Sequence, residues 1–222
     1  MNAMLLAAGR GTRLRPLTDS TPKPLLAVAG YPLLDYHLRA LAAADVRRVV
    51  INVSWLGQQI VAAIGDGERY GLDVRYSDEG EQALETGGGV VRALPLLGDA
   101  PFLVINADVW TDFPFATLDR LADEDLARVV LVENPAHHPS GDFSVADGRL
   151  IADDEPAFTF SGVGLYRPEF FRGYGERFSL AVPLREYAIN GRVAAHRFAG
   201  RWWDVGTAQR LKDLARFLAG DR

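Results

Sequence analysis

Cysteine is absent from the 222-residue sequence, so the chain has no disulfide bond and no thiolate ligand for a zinc site. No apolar run approaches the ~20 residues that a transmembrane helix needs. The N-terminus lacks the cationic segment and cleavage site of a secretory signal peptide. The formal net charge of −5 argues against a broad basic surface for nucleic acid. We therefore expect a cytoplasmic protein that binds neither membranes nor nucleic acid, and the oligomeric state stays open.

The N-terminal segment combines glycines with fixed cations. The apolar run Met4–Ala8 is followed by Gly9–Arg13, and Pro22–Pro24 places Lys23 between two prolines. Glycine lets backbone N–H groups approach an anion closely, and arginine and lysine add charge at the same place. The pattern predicts a triphosphate-binding loop, and the alternative is a solvated basic turn. It is neither a P-loop, which ends in Gly-Lys-Ser/Thr, nor a Rossmann fingerprint, which needs Gly or Ala where Leu14 stands.

Short apolar runs alternate with segments of helical periodicity through the first 130 residues. The strand candidates are Met4–Ala8, Val49–Val53, Leu72–Tyr76, Phe102–Asn106 and Val129–Val132. The helix candidates are Pro32–Ala44, Gln58–Ile64, Gly88–Leu97 and Phe115–Asp123. This alternation predicts a Rossmann-like α/β fold with a mixed, mostly parallel sheet and helices on both faces.

The alternation becomes less regular after Asn134. Shorter strands are predicted at Ser144–Val145, Arg149–Ile151 and Thr159–Tyr166. A last helix is predicted at Thr207–Ala219, with Thr207 as its N-cap. We expect one domain over residues 1–222, in which this second part packs on the first.

Asp108 follows the apolar strand candidate Phe102–Asn106. Parallel α/β sheets bind ligands at the carboxyl ends of their strands. Mg²⁺ prefers oxygen ligands and is typically held by one or two carboxylates together with phosphate oxygens. Asp108 therefore fits a magnesium ligand, and the alternative is an aspartate that begins a turn. Adjacent histidines point apart in an extended chain, which argues against a two-histidine metal site at His137 and His138.

The N-terminal segment resembles the signature of the sugar-1-phosphate nucleotidylyltransferases, also called nucleoside-diphosphate-sugar pyrophosphorylases. Their pattern is Leu-Ala-Gly-Gly-x-Gly-Thr-Arg-Leu-x-Pro-Leu-Thr…Pro-Lys-Pro, and this chain departs from it only at Ala8. Asn106–Asp108 and Trp202–Thr207 are similar to two further motifs of that family. The resemblance implies a nucleotidyltransferase fold, with a nucleotide-binding part at about 1–133 and a sugar-binding part at about 134–222. The hexapeptide repeats of the acyltransferase β-helix domain that many relatives carry are absent, so no such domain is expected.

The resemblance also implies roles for individual residues. Arg13, Lys23, Asp108 and Asp204 would be catalytic, and Mg²⁺ held by Asp108 and Asp204 would be the cofactor. The nucleotide-binding candidates are Ala7, Gly9, Gly11, Thr12, Arg13, Lys23, Glu79, Gly87 and Gly88. The sugar-binding candidates are Asn106, Gly141, Asp142, Glu155, Ser161 and Gly162.

Two departures from the family pattern bear on the substrate. Glu85 stands where the family's base-binding motif has Gly, and Glu133–Pro135 lacks the lysine that grips the sugar phosphate in many relatives. The segment Asn134–Phe143 resembles that of the bacterial N-acetylmuramate-1-phosphate uridylyltransferases. This similarity implies uridylyl transfer from UTP to N-acetylmuramate 1-phosphate in peptidoglycan recycling. A cation would then be needed for the lactyl carboxylate, and the candidates are Arg15, Arg167 and Arg185.

Other functions stay open at this point. The enzymatic alternatives are a mannose-1-phosphate guanylyltransferase and a glucose-1-phosphate uridylyl- or thymidylyltransferase. A non-catalytic sugar-nucleotide sensor is the alternative from another class, and the presence of Lys23 and both aspartates argues against it. A glycosyltransferase that consumes a nucleotide-sugar has a similar strand–helix order, and it would need an Asp-x-Asp metal motif.

Overall fold

The alternating apolar runs form the strands and helices of an α/β sheet in the computed structural model, which describes residues 1–220. The strands are β1 (Asn2–Leu6), β2 (Ala27–Val28), β3 (Tyr31–Pro32), β4 (Arg48–Val53), β5 (Asp73–Asp78), β6 (Phe102–Asn106), β7 (Val109–Thr111), β8 (Ala127–Glu133), β9 (Ser144–Ala146), β10 (Arg149–Ile151), β11 (Phe158–Tyr166), β12 (Val193–Arg197) and β13 (Trp202–Asp204). The α-helices are α1 (Leu17–Ser20), α2 (Leu33–Ala43), α3 (Gly57–Ile64), α4 (Glu85–Leu97), α5 (Ala181–Ile189) and α6 (Ala208–Ala219). Within residues 1–220, no helix has both the length and the apolar character needed to cross a membrane.

One nine-stranded sheet has the order β5-β4-β1-β6-β11-β8-β12-β10-β9. The strands β5, β4, β1 and β6 run parallel to one another. β11 lies antiparallel between β6 and β8, and β12 runs parallel to β8. The predicted mixed α/β sheet is therefore confirmed. Because β11 pairs directly with β6, the strands β9 to β12 belong to the same sheet as the N-terminal ones.

Helices cover both faces of this sheet. Successive side chains of a strand point to opposite faces. Ala3 and Leu5 of β1 accordingly pack into the core that contains α2 and α3, whereas Met4 packs into the core that contains α4 and α5. Burial on both faces explains why the central strands are continuously apolar instead of alternating with polar residues.

A separate two-stranded ribbon connects the middle of the chain to its C-terminal part. In this ribbon, β7 pairs antiparallel with β13, and Asp204 lies opposite Val109. The Val205 N–H donates to the Asp108 carbonyl at 2.9 Å. The ribbon thus brings two acidic residues together that are far apart in the sequence.

The predicted helix Phe115–Asp123 is wrong. Only a 3-10 turn forms there, at Phe115–Thr117, and the chain then continues without regular structure. Phe115, Leu118 and Leu121 are nevertheless buried in one core, so the apolar spacing is real. An irregular segment places these three side chains in the core, which shows tertiary packing overriding a local helical pattern.

The remaining elements differ from the predictions mainly in their bounds. Thr207 caps α6 as predicted, since its Oγ1 accepts a hydrogen bond from the Arg210 N–H at 3.3 Å. The elements without a counterpart among the predicted ones are α1, α5, β2, β3, β7, β12 and β13. Pro183 lies within α5, and few of its residues are buried, so its sequence carries only a weak helical signal.

Candidate active site

The loop after β1 is held in one shape by contacts within the chain. Gly11 has a φ of 64°, a conformation that favours glycine. A Cβ at this position would lie 2.9 Å from Thr18 Cγ2 and 3.2 Å from Lys23 Cβ. The Thr18 hydroxyl donates to the Gly11 carbonyl at 2.8 Å. The loop therefore presents its backbone in a fixed arrangement beside Lys23, which is itself buried.

A cleft of about 310 Å³ lies at the carboxyl ends of β1, β4, β5 and β6. This is the edge at which open α/β sheets bind ligands. Seven of the predicted nucleotide-binding residues line it, namely Ala7, Gly9, Gly11, Thr12, Arg13, Lys23 and Glu79. Its wall combines the cations Arg13 and Lys23 with the acids Glu79, Glu85 and Asp108, so the cleft carries charges of both signs.

Gly87 and Gly88 are not among the described residues that line this cleft. Their N–H groups both donate to the Phe178 carbonyl, at 2.9 and 3.2 Å. A Cβ on Gly87 would collide with the Phe178 ring, and one on Gly88 would collide with the Glu176 carbonyl oxygen. Close packing therefore requires glycine at both positions, and Ala83, Glu85 and Thr86 line the cleft. That the bare backbone of Gly87 and Gly88 faces a base stays a prediction.

A second cleft, also of about 310 Å³, adjoins the first and shares Arg13, Asn106 and Asp108 with it. Asp108 and Asp204 both line this second cleft. Lys23 Nζ donates to Asp108 Oδ2 at 2.6 Å. The folded chain therefore brings the two predicted metal-binding acids to one cleft, where a cation accompanies the first of them.

Asp204 has a cationic partner of its own. Arg210 Nη1, on α6, donates to Asp204 Oδ2 at 2.9 Å, and His137 Nε2 lies 3.3 Å from the same oxygen. A Cβ on Gly206 would collide with Arg210 Nη2 and lie 3.1 Å from Asp204 Oδ1. Glycine at position 206 thus leaves room for the Arg210 guanidinium to reach the carboxylate.

A buried histidine supports the strand between the two acids. His37 of α2 is 3% exposed, and its Nε2 donates to the Val109 carbonyl at 2.7 Å. Burial lowers the pKa of His37 to about 4, because the charged imidazolium loses its hydration. A neutral His37 therefore holds β7 in place next to Asp108.

The sequence from residue 2 to residue 146 matches a family model described as Nucleotidyl transferase. The chain belongs to the nucleotidyl transferase family. It is 50% identical over 229 aligned residues to the N-acetylmuramate alpha-1-phosphate uridylyltransferase of Neisseria meningitidis serogroup B, which covers 99% of each chain. It is 39% identical to the protein of the same name from Caulobacter vibrioides, over 93% of this chain and 92% of that one.

The fold of this nucleotidyl transferase also matches solved structures. One from Bacillus anthracis, assigned as a glucose-1-phosphate thymidylyltransferase, superposes with a TM-score of 0.87 over 100% of this chain and 96% of that one. The sequence identity in that comparison is 20%, so the likeness concerns the fold alone.

Five of the six predicted sugar-binding residues of this nucleotidyl transferase divide into three groups. Asn106 and Ser161 line the second cleft. Gly162, with a φ of 80°, packs against the Asn106 side chain, and Gly141 packs against Asn134. Glu155 lies in the exposed loop between β10 and β11 and lines neither cleft.

Asp142 fastens the loop that carries the two histidines. Its Oδ2 accepts the Phe160 N–H at 2.9 Å, and its Oδ1 lies 3.0 Å from His138 Nε2. His137 and His138 both line the second cleft, each beside a different carboxylate. Within residues 1–220, no group of three or more His, Cys, Asp or Glu side chains is placed to hold a metal ion.

The three arginines considered for a substrate carboxylate lie outside both clefts. Arg15 pairs with the exposed Asp19, and Arg167 donates to the carbonyls of Asp125 and Ala122. Arg185 lies over the Phe143 ring.

An Asp-x-Asp run occurs at Asp123–Asp125. Its Asp125 is buried in an ion pair with Arg149, and the run lines neither cleft. The placement gives no support to a glycosyltransferase metal motif.

Three residues at or near the clefts were not predicted from the sequence: Asn52 lines the first cleft, Arg210 pairs with Asp204, and His37 supports β7. Asn52 carried a detectable signal, because it is a polar residue inside the otherwise apolar run Val49–Val53. Arg210 and His37 carried none, since arginine on a helix and histidine in an amphipathic helix are ordinary. Their importance comes from contacts with Asp204 and Val109 that only the folded chain makes.

Proposed function

We propose that the protein transfers a uridylyl group from UTP to N-acetylmuramate 1-phosphate, giving the UDP-sugar and pyrophosphate. The observation that carries this proposal is the 50% identity to the Neisseria uridylyltransferase over 99% of both chains. The two adjoining clefts support it, because a nucleotide and a sugar phosphate must meet at one point. Such a reaction would serve peptidoglycan recycling.

The chemistry is an in-line displacement at the α-phosphorus of UTP. An oxygen of the sugar 1-phosphate forms the new bond to phosphorus, while the bond from phosphorus to the β-phosphate oxygen breaks and pyrophosphate leaves with that electron pair. The attacking oxygen already carries negative charge near neutral pH, so no protein base has to remove a proton. The protein must bring two polyanions together in the right orientation and stabilise the charge of the transition state.

The cations at the first cleft suit the triphosphate. The backbone N–H groups of Gly9–Thr12 and the Arg13 guanidinium would bind the β- and γ-phosphates. Lys23 would bind phosphate oxygens near the reacting centre, since its partner Asp108 lies where the two clefts meet. The nucleoside would then occupy the part of the first cleft that Glu79, Ala83 and Thr86 line.

Asp108 and Asp204 would hold Mg²⁺. The donors fit this ion, because both are carboxylates at one cleft and Mg²⁺ is typically bound by one or two carboxylates together with phosphate oxygens. Each carboxylate pairs with a cationic side chain through its Oδ2 atom, Asp108 with Lys23 and Asp204 with Arg210. Mg²⁺ would have to share the two carboxylates with these cations. When bound, Mg²⁺ would neutralise negative charge on the phosphate oxygens.

The test is a pyrophosphate-release assay on the purified protein with Mg²⁺. UTP, GTP and dTTP are each combined with N-acetylmuramate 1-phosphate, mannose 1-phosphate and glucose 1-phosphate. We expect the pair UTP and N-acetylmuramate 1-phosphate to have the highest kcat/KM. Highest activity with GTP and mannose 1-phosphate would instead identify a guanylyltransferase, and no turnover with any pair would overturn the enzymatic proposal.

A further inference from the structure

Three consecutive hydrogen bonds run along the wall of the first cleft, which Ala7, Asn52 and Glu79 line. The Ala7 N–H donates to Asn52 Oδ1 at 2.6 Å, and Asn52 Nδ2 donates to Glu79 Oε1 at 2.6 Å. Glu79 Oε2 accepts the Leu84 N–H at 2.8 Å. The three hydrogen bonds therefore link the loop after β1, the end of β4, the end of β5 and the segment that leads into α4.

We call these three hydrogen bonds the relay. Its two side chains, Asn52 and Glu79, are both buried. Asn52 is 3% exposed and Glu79 is 6% exposed. A Cβ on Gly89 would lie 2.5 Å from Glu79 Oε1 and 2.8 Å from Asn52 Nδ2, so α4 packs directly against the pair. A buried polar group that loses its partner costs the full desolvation of that group, so the relay tolerates no mismatch of donor and acceptor.

Each end of the relay fixes a backbone segment that lines the cleft. Ala7 itself lines the cleft, and Leu84 lies between the cleft-lining residues Ala83 and Glu85. Glu79 uses both carboxylate oxygens as acceptors, one for each neighbour. A side chain with a single acceptor oxygen at position 79 would leave one neighbour unpaired.

We propose that Asn52 and Glu79 are positioning residues that set the width of the nucleoside end of the cleft. They do so by holding the backbone at Ala7 at a fixed separation from the segment 83–86. This assignment rests on the proposed function, since it takes the nucleoside to lie between these two segments. It differs from a direct contact between Glu79 and the nucleotide, because both Glu79 oxygens already serve the protein backbone and Asn52.

The relay can be tested by exchanging its two side-chain types. In Glu79→Gln alone, the amide has one acceptor oxygen, so an N–H group faces either the Leu84 N–H or the Asn52 amide nitrogen. In Asn52→Asp alone, two carboxylates face each other at the position of the 2.6 Å contact. In the double variant the new Asp carboxylate accepts from Ala7 and from the new Gln amide, whose oxygen accepts from Leu84. All three hydrogen bonds are then possible again with the middle one reversed.

The measurement is the Kd for UTP by isothermal titration calorimetry without sugar phosphate. Steady-state KM and kcat for both substrates and the thermal midpoint are measured alongside it. We expect each single variant to weaken UTP binding by ~10-fold or more, and the double variant to return within ~3-fold of wild type. The KM for the sugar phosphate and kcat at saturating UTP should change by less than ~3-fold in all three variants, because the relay touches neither the second cleft nor the reacting centre. Matched controls are Glu186→Gln on α5 and Asn190→Asp just after it, where Asn190 donates to the backbone carbonyl of the exposed Glu186.

The outcomes separate the alternatives. UTP binding of wild-type strength in Glu79→Gln would overturn the positioning role, and so would a double variant that binds as weakly as Glu79→Gln, since that result requires the Glu79 carboxylate itself at the ligand. A folded double variant decides the question even where a single variant fails to fold. Absence of UTP binding by the wild-type protein would instead overturn the proposed function, and this assignment with it.

Discussion

Lys23 Nζ lies 2.6 Å from Asp108 Oδ2 and joins the N-terminal loop to the end of β6. The side chains are unequal in exposure, at 9% for Lys23 and 38% for Asp108. The cation is therefore fixed within the protein, while part of the carboxylate faces the cleft. Pairing with Asp108 thus holds the Lys23 ammonium at the first cleft, where an anionic substrate can approach both side chains.

We expect Lys23→Met to lower kcat/KM by ~100-fold or more. The change removes a positive charge from the site at which phosphates would react, and it leaves the Asp108 carboxylate without its partner. The measurement is pyrophosphate release at saturating Mg²⁺ with UTP varied. Lys212→Met is the matched control, because the other lysine of the chain is exposed on α6, and its kcat/KM should stay within ~2-fold of wild type. Comparable kcat/KM values for the two variants would remove Lys23 from the mechanism.

Asp108→Asn should lower turnover by more than ~100-fold, since the change would remove a proposed Mg²⁺ ligand and a metal supplies several kcal/mol to such a transition state. The loss should be greatest at limiting Mg²⁺. Turnover is measured over a Mg²⁺ titration, and Asp119→Asn is the control for the same chemical change at an exposed acid that pairs with its neighbour Arg120. Near-normal turnover of Asp108→Asn at limiting Mg²⁺ would contradict a metal-binding role.

The parts that the sequence alone predicted share one physical property: their signals are local. The strand Phe102–Asn106 has the predicted bounds, because an apolar run that ends in a polar residue defines a buried strand by itself. The Gly9–Arg13 loop could be predicted for the same reason, since its glycines and cation are adjacent in sequence. The acid Asp108 followed from its place at the end of that strand.

The parts that the sequence did not reveal depend on contacts between distant segments. Gly87 and Gly88 pack against Glu176 and Phe178, which lie far away in the sequence. Arg210 resembles any helical arginine until β13 places Asp204 beside it. Such pairings are decided by the topology of the whole sheet, which no local pattern encodes.

Gly206→Ala should act through Arg210. A Cβ at this position would collide with Arg210 Nη2, and the Arg210 side chain is only 17% exposed, so it has little room to move aside. We expect Gly206→Ala and Arg210→Met each to lower kcat/KM by ~10-fold through loss of the same contact with Asp204. The kcat/KM of the double variant should be no lower than that of the less active single variant.

The control for this pair is Gly175→Ala, at an exposed position where a Cβ would meet no atom within 4 Å. Its kcat/KM should equal that of wild type. Additive losses in the Gly206→Ala and Arg210→Met double variant would show that the two changes act independently and that Gly206 has another role.

Because His37 is buried, we expect the free energy of unfolding to depend on pH. Its pKa falls from the ordinary value of 6.5 to about 4 in the folded protein, because burial disfavours the charged ring. The unfolded chain therefore binds more protons than the folded one between these values. The contribution of the neutral His37 to the free energy of unfolding is fully present above pH 6.5. About 3 kcal/mol of it is lost as the pH falls towards 4.

His37→Gln isolates this term, because a glutamine amide can still donate to the Val109 carbonyl and does not titrate. The free energy of unfolding in urea is measured from pH 7.5 to pH 4 for both proteins. The wild-type protein should lose about 3 kcal/mol more than His37→Gln over this range, and the exposed His196→Gln should follow the wild-type curve. Parallel curves for wild type and His37→Gln would mean that His37 titrates alike in the folded and unfolded chains, and that its contact with Val109 does not depend on a neutral ring.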